Sequence, residues 1–210
     1  TPTSTGSQTP YGGTARAIPG TIQAEDFDNG GEGVAFHDID TANNGGQYRT
    51  TGVDIEATGD TGGGYNVGWV RNTEWLEYTV NVGSAGTYTL AARVASGAST
   101  GSFRVEFNGV DKTGTVAVAS TGGWQTWSSI SKSVSLSAGQ QVMRVYVLGD
   151  DFNLNYLTFT SGGATPLRTQ VSSATNKALS IGPGCTGLWG KTHCRSPMPR
   201  AGASPLCPPC

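Results

Sequence analysis

Hydrophobic and polar residues alternate one by one along much of the middle of the chain. The alternation is clearest in Trp75–Val82, where every second residue from Leu76 onward is apolar or aromatic. It recurs in residues 87–94 and 102–108. A period of two is typical of a strand with one buried face, whereas a helix has a period of 3.6. The three segments are therefore predicted strands, and Trp75 lies on the side opposite the core.

Further short strands are predicted on both sides of these three, and turn signals such as Asn108 followed by Gly109 separate them. They are expected at residues 21–25, 34–38, 66–70, 115–119, 128–136, 142–148 and 154–160. Many short strands at a spacing of roughly 8–12 residues are typical of sandwiches. The predicted fold is all-β, an antiparallel β-sandwich of the jelly-roll type.

Composition supports this fold and excludes several classes of protein. The chain has 32 glycines in 210 residues, and only 13% of its residues are charged, against a usual ~25%. Strong helix formers are therefore scarce. No apolar run approaches the ~18 residues of a membrane span, so no membrane partner is expected. A net charge of −2 gives no basic patch, so no nucleic-acid partner is expected either.

Uneven charge divides the chain into three predicted regions. Residues 1–19 are rich in Thr, Ser, Gly and Pro and are predicted to be a linker. Residues 20–162 form the predicted compact domain. Residues 163–210 hold five cations, no acid and all four cysteines, at positions 185, 194, 207 and 210. This tail is predicted to be non-globular. Cys207–Pro–Pro–Cys210 resembles a redox or zinc Cys-x-x-Cys, but the full spacing fits no zinc finger, and the cysteine pairing is left open because sequence alone does not fix it.

Residues for catalysis are scarce in the predicted domain. It has one histidine, His37, no cysteine and no Gly-x-Ser-x-Gly motif, so a nucleophilic triad has little to build on. A pair of carboxylates could still serve a small hydrolase or lyase. The candidates are Glu56, Glu74, Glu77 and Glu106. This enzyme hypothesis stays open from the residues alone, beside the simpler interpretation of solvated surface acids.

Two tryptophans follow glycine-rich turns. Trp69 comes after Gly62–Gly63–Gly64 and Gly68, and Trp124 comes after Gly122–Gly123. Large rings in such positions tend to lie at loop rims, where two indoles can hold the flat apolar face of a sugar ring. The alternative is that one or both tryptophans fill the core.

Six motifs follow one another along the chain. They are GTIQAEDF at 20–27, NGGQYRTTGVDIE at 44–56, DTGGGYNVGW at 60–69, EWLEY at 74–78, GGWQTW at 122–127 and NLNYL at 153–157. Together and in this order they resemble the motifs of family 6 carbohydrate-binding modules. The resemblance covers about residues 18–162. It implies a β-sandwich that binds a polysaccharide or oligosaccharide without catalysis. It also implies a covalently linked catalytic domain, because these modules are parts of secreted glycoside hydrolases.

The resemblance also implies site residues. Trp69 and Trp124 match the two aromatics that sandwich a sugar ring, Asn153 matches the asparagine that hydrogen-bonds that sugar, and Glu56 matches an acidic residue of the same cleft. Some members have a second cleft on a sheet face, where Trp75 and Glu106 match a tryptophan and a glutamate. The alternative for Trp75 is that it only covers the sheet.

A structural calcium ion is a further expectation from the resemblance, and oxygen ligands suit this ion. Gln23 and Glu25 alternate onto one face of the first predicted strand, Asn155 matches a position often held by Asp, and a backbone carbonyl near Arg49 completes the set. The alternative is a Glu25 that only forms a salt bridge.

The leading hypothesis is therefore a secreted, monomeric, non-catalytic module that binds a cell-wall polysaccharide. The segment from Tyr48 to Glu56 resembles modules of laminarinase-type enzymes, which favours β-1,3-glucan over xylan, cellulose or agar. A small polysaccharide hydrolase or lyase and a cell-surface adhesion module are the alternatives.

Overall fold

The computed structural model describes residues 7–162. Within them the chain forms strands of 2 to 14 residues and two 3₁₀ turns, with no α-helix in this range. The strands are β1 (Arg16–Ile18), β2 (Gly20–Gln23), β3 (Phe36–His37), β4 (Ile55–Ala57), β5 (Tyr65–Val67), β6 (Trp75–Val82), β7 (Gly86–Ser96), β8 (Gly101–Phe107), β9 (Val110–Asp111), β10 (Val116–Val118), β11 (Gly123–Leu136), β12 (Gly139–Gly149) and β13 (Asn153–Ser161). No helix in the described part is long and apolar enough to cross a membrane.

The strands form two sheets that pack face to face. One sheet has the order β1-β6-β12-β8-β10, with β3 on β6 and β9 on β8. The other has the order β11-β7-β13-β5-β4, with β2 on β13. The pairing is antiparallel except between β1 and β6. The predicted all-β sandwich is confirmed.

The core lies between the sheets and is filled by the side chains on the inward face of each strand. Leu76, Tyr78, Val80 and Val82 of β6 are all buried, as the alternation predicts. Aromatic contacts join the two sheets, for example an edge-to-face pair whose ring centroids lie 5.9 Å apart, Phe107 of β8 and Phe159 of β13. Such pairs add stability beyond the area they bury.

The beginning of the compact domain differs from the sequence prediction. Residues 1–19 were predicted to be a linker, yet Arg16–Ile18 pair in parallel with the end of β6, and Ile18 is buried. Thr9 also forms a backbone bridge with Asn29. Residues 9–18 therefore belong to the domain. The prediction missed them because a three-residue strand with one buried isoleucine is too short to show a period. The predicted tail, 163–210, lies outside the described residues.

Candidate functional site

An open cavity of about 360 Å³ lies where loops connect the two sheets at one end of the sandwich. Its size falls within the range of ~300–1,000 Å³ that is usual for small-ligand sites. It is lined by Glu56, Trp69, Trp124, Asp151, Phe152 and Asn153. The four residues that the resemblance named for the first site are therefore brought together in one place. Asp151 and Phe152 were not foreseen.

Trp69 stands on a strained loop at the rim of the cavity. Its φ is +49°, in the left-handed region that non-glycine residues rarely adopt, and the side chain is 46% exposed. Hydrogen bonds hold the loop on both sides: the Gly68 N–H donates to the Asp54 carbonyl at 3.0 Å, and the Asp151 N–H donates to the Val70 carbonyl at 3.3 Å. Strain of this kind persists only where surrounding contacts impose it.

Trp124 lies at the start of β11, where that strand separates from β7. Regular pairing is interrupted between Gly123 and Trp127, and Trp124 is 48% exposed. Its indole packs on the backbone of Gly97, because a Cβ at Gly97 would lie 2.9 Å from Cε2 of the indole. The Trp124 carbonyl accepts a hydrogen bond from Asn153 Nδ2 at 2.8 Å. One side of the ring is thus supported while the residue remains open to the cavity.

Glu56 and Asn153 form the polar part of the cavity. Asn153 is only 4% exposed, and its Nδ2 donates to Glu56 Oε1 at 2.9 Å. The same oxygen accepts from Asn66 Nδ2 at 3.1 Å and from Gln125 Nε2 at 2.7 Å. Sequence reasoning did not assign Asn66 or Gln125 to the site, although both lie within the quoted motifs. Asn66 pairs with Glu56 across β4 and β5, whereas Gln125 is 69 positions from Glu56. The arrangement offers two aromatic faces beside amide and carboxylate groups, which suits a ligand rich in hydroxyls.

The carboxylates once considered for catalysis all have structural partners. Glu77 pairs with Arg144 at 2.5 Å, and Glu106 pairs with Arg104 at 2.6 Å. Glu74 accepts the backbone N–H of Arg71 at 2.8 Å. These contacts explain Glu74, Glu77 and Glu106 as parts of the scaffold, whereas Glu56 is held by three amides and lines the cavity.

Residues 44–161, more than half of the chain, match the family described as carbohydrate binding module (family 6). The chain belongs to this family. Its members are non-catalytic binding modules, and the predicted resemblance is confirmed.

Solved structures with the same fold include other family 6 modules. This chain is similar to a module from Cellvibrio mixtus lichenase 5A in complex with cellotriose, at 34% identity and a TM-score of 0.54, covering 69% of this chain and 98% of that one. It is also similar to the C-terminal family 6 module of a marine laminarinase from Zobellia galactanivorans, at 28% identity and a TM-score of 0.53, covering 67% and 98%.

Longer proteins share the module as a part. The clotting factor G alpha subunit of Tachypleus tridentatus is 34% identical over 115 residues, which are 54% of this chain and 17% of that protein. The β-agarase AgaA of Microbulbifer thermotolerans is 31% identical over 99 residues, 44% of this chain and 23% of that protein. The chain therefore spans less than a quarter of the length of these relatives.

The residues predicted for a second cleft lie on the outer face of the seven-stranded sheet of the module. Trp75 on β6 and Glu106 on β8 flank β12, whose Tyr146 is opposite Trp75. The Arg144 guanidinium lies 4.3 Å from the centroid of the Trp75 ring, and the Arg104 guanidinium lies 4.2 Å from that of Tyr146. One face of Trp75 is thus already covered by a cation from its own sheet.

Two of the residues predicted to bind calcium, Gln23 and Glu25, do not lie on one strand as expected. Gln23 ends β2 and is exposed, whereas Glu25 lies in the 3₁₀ turn Ala24–Asp26 and is buried. They do not alternate along one strand, so that argument is wrong. Glu25 Oε2 is buried without a hydrogen-bond partner among the described residues, and burial raises the pKa of Glu25 to about 7. A buried carboxylate oxygen in this state is chemically suited to a cation.

The other predicted ligands have protein partners of their own. Asn155 is buried and donates from Nδ2 to Asp60 Oδ2 at 3.0 Å. The Arg49 carbonyl accepts from Asn43 Nδ2 at 3.1 Å, and the Arg49 guanidinium lies 3.8 Å from the centroid of the Phe27 ring. Residues 7–162 contain no group of three or more His, Cys, Asp or Glu side chains placed to hold a metal. A calcium ion here would have one carboxylate and otherwise neutral oxygen ligands.

Proposed function

We propose that this module binds a β-glucan, preferentially β-1,3-glucan, by holding a sugar ring between Trp69 and Trp124. The observation that carries the proposal is the common cavity of two half-exposed indoles with Asn153 and Glu56. Exposed indoles are costly unless a ligand covers them, and sugar rings present the flat apolar face that they fit. Asn153 and Glu56 supply the hydrogen bonds that select a pattern of hydroxyls.

The choice of a β-glucan rests on two relatives above 25% identity. One is a module in complex with cellotriose, a β-glucan fragment, and the other belongs to a laminarinase. The similarity of the segment from Tyr48 to Glu56 to modules of laminarinase-type enzymes favours the β-1,3 linkage. Xylan, cellulose and agar are the competing ligands.

Isothermal titration with laminarihexaose, cellohexaose and xylohexaose tests this choice, with a reducing-sugar assay on the same samples. We expect saturable binding of laminarihexaose, weaker binding of the other two, and no released sugar. Stronger binding of cellohexaose or xylohexaose would contradict the β-1,3 preference but would leave the cavity as the proposed binding site. Released sugar would contradict the non-catalytic role.

We further infer that the module serves a longer, extracellular polysaccharide-degrading protein, since its relatives include modules of a lichenase and a laminarinase. An antibody against residues 20–162 should detect, in the culture medium of the source organism, a protein much larger than the 21.6 kDa of this chain. Detection only inside the cells would contradict this inference. The isolated chain is expected to be monomeric, which light scattering can check.

We also infer a structural calcium ion held by Gln23, Glu25, Asn155 and the Arg49 carbonyl. The support is the buried, unpartnered oxygen of Glu25 together with the oxygen-only chemistry of the set. An ion that binds only the folded state raises its stability by mass action. At a calcium concentration about 100 times the Kd, the melting temperature should rise by roughly 5–10 °C, and sugar binding at room temperature should persist in EDTA.

The pH dependence of this calcium effect has a definite sign. Without the ion, the pKa of Glu25 rises from 4.5 to about 7 on folding. The folded state then holds a proton that the unfolded chain has lost, so the free energy of unfolding falls as the pH rises from about 4.5 to about 7. Calcium requires the ionised carboxylate, so its stabilising effect should grow over the same range.

Scanning calorimetry at pH 5 and pH 7, with calcium and with EDTA, measures this effect. Burial also raises the pKa of Asp38 to about 7, so only the difference between the calcium and EDTA curves is informative. The variant E25Q is the control and should not respond to calcium. An unchanged melting curve of the wild type after chelation would contradict the calcium site.

A further inference from the structure

Gln125 lies beside the cavity on the segment of β11 that has left the sheet. Because pairing with β7 is interrupted between Gly123 and Trp127, this segment lacks the regular ladder that fixes the rest of the strand. Side-chain hydrogen bonds take its place. The segment also carries Trp124, so whatever fixes it also fixes one wall of the cavity.

The amide of Gln125 makes four hydrogen bonds. Its Oε1 accepts from the Gly59 N–H at 2.6 Å and from Trp127 Nε1 at 3.2 Å. Its Nε2 donates to Glu56 Oε1 at 2.7 Å and to Asn66 Oδ1 at 3.2 Å. Two N–H groups donate to Oε1, and a carboxylate accepts from Nε2, so the orientation of this amide is determined by its partners.

The three amides on Glu56 all reach the same oxygen. Gln125, Asn66 and Asn153 donate to Oε1, while Oε2 makes no hydrogen bond with any residue in the range 7–162. In that range the only buried side-chain atoms without a partner are Glu25 Oε2 and Thr51 Oγ1. Glu56 Oε2 is therefore accessible to solvent, and it belongs to a residue that lines the cavity. A carboxylate held by one oxygen presents the other as a fixed acceptor.

We propose that Gln125 is a positioning residue that fixes the Glu56 carboxylate, so that its free oxygen accepts a hydroxyl of the bound sugar. This inference rests on the proposed sugar-binding function of the cavity. Gln125 does not line the cavity itself and acts through Glu56. Hydrogen bonds to a charged acceptor are the strong ones, and a prealigned acceptor loses less conformational freedom when the ligand binds.

The variant Q125E separates this role from a merely structural one. It keeps the shape of the side chain and the acceptor for Gly59 and Trp127, but it replaces the donor by a carboxylate facing Glu56 Oε1. At pH 7 the affinity for the oligosaccharide that the wild type binds should fall by about tenfold. As the pH falls to 5, two carboxylates in contact come to share a proton, so the affinity should recover relative to the wild type.

Titration calorimetry of Q125E and the wild type at pH 7 and pH 5 makes the measurement, since a neutral oligosaccharide does not titrate. The other charged groups around this network are Asp151 on the cavity rim and the Asp60–Arg93 pair, and both are the same in the two proteins. Q140E, at an exposed position of β12, is the control for the added charge and should bind like the wild type.

Three outcomes are distinguishable. Weak binding by Q125E at pH 7 with recovery at pH 5 supports the positioning role. Wild-type affinity of Q125E at pH 7, or an equal loss at both pH values in a protein with an unchanged melting temperature, overturns it. Failure of the wild type to bind any glycan overturns the proposed function instead. If Q125E does not fold, Q125M removes the same donors without charge and should lose affinity with no recovery at low pH.

Discussion

Trp124 and Trp75 are both tryptophans on the surface of the same sandwich, but their surroundings differ. Trp124 packs on the backbone of a glycine, is 48% exposed and borders an open cavity. Trp75 lies under the guanidinium of Arg144, which is itself paired with Glu77. The first ring is supported from one side, and the second is covered by its own protein.

The two rings differ in exposure, since Trp124 is exposed and Trp75 is only partly exposed, and they also differ in what already covers the ring. A cation on an aromatic face already makes an attractive contact of about 0.5–1 kcal/mol at an exposed site. A ligand must displace it before it can stack. The Trp124 ring, which packs on Gly97, has no such cation to displace among its described contacts. We therefore expect the cavity of Trp124 to be the better stacking surface, and the contact between Trp75 and Arg144 to stabilise the sheet.

The largest expected effect is the loss of a cavity indole. W69A and W124A each remove one apolar wall, and stacking on an aromatic platform is worth about 1–3 kcal/mol per ring by analogy with bases. The affinity for laminarihexaose should fall by roughly tenfold or more. Titration calorimetry measures the loss, and circular dichroism verifies folding. If both variants bind normally while W75A does not, the binding face has been assigned to the wrong tryptophan.

A smaller effect is expected from G97A, which substitutes no residue of the cavity lining. The new Cβ would lie 2.9 Å from Cε2 and 3.0 Å from Nε1 of the Trp124 indole, so the ring has to tilt. We expect a loss of affinity of about threefold to tenfold, smaller than that of W124A. G83A is the matched control, because its Cβ meets only the Ile18 carbonyl at 3.5 Å. Equal binding by G97A and G83A would show that the support of the ring has no role.

The smallest effect is expected from W75A. Its ring is already covered by Arg144, so the affinity for a hexasaccharide should change by less than about twofold. Only a long polysaccharide that reaches from the cavity to the sheet face should respond, and affinity gel electrophoresis against soluble β-1,3-glucan can detect this. A hexasaccharide loss equal to that of W124A would remove the distinction between the two surfaces.

Much of the fold could be predicted because its long strands have a buried face. The bounds of β6 (Trp75–Val82) agree with the prediction, and β7, β8, β12 and β13 differ by a few residues. Among the strands of only two or three residues, β1, β4 and β9 were missed, whereas β3, β5 and β10 overlap longer predicted strands. Two or three residues show no period of their own. Glu25 was misassigned to a strand for a similar reason: the turn after β2 interrupts the alternation.

The cavity was predictable only in part. Trp69 and Trp124 stand out because glycines precede them, and Glu56 and Asn153 were found through the family resemblance. Gln125 was not found, although it contacts Glu56, because the two residues are separated by 69 positions. Contacts of this kind are created by the meeting of β4 and β11 at one end of the sandwich, and no local pattern encodes them. The same holds for Arg144, whose position over Trp75 depends on the register of β12 and β6.

The direction of β13 separates the two ends of the module. The strand begins with Asn153 at the cavity and ends at Ser161, and at ~3.3 Å per residue this spans roughly 26 Å. Ser161 therefore lies at the end of the sandwich opposite the cavity. A polysaccharide bound at the cavity would be held at this fixed distance from Ser161.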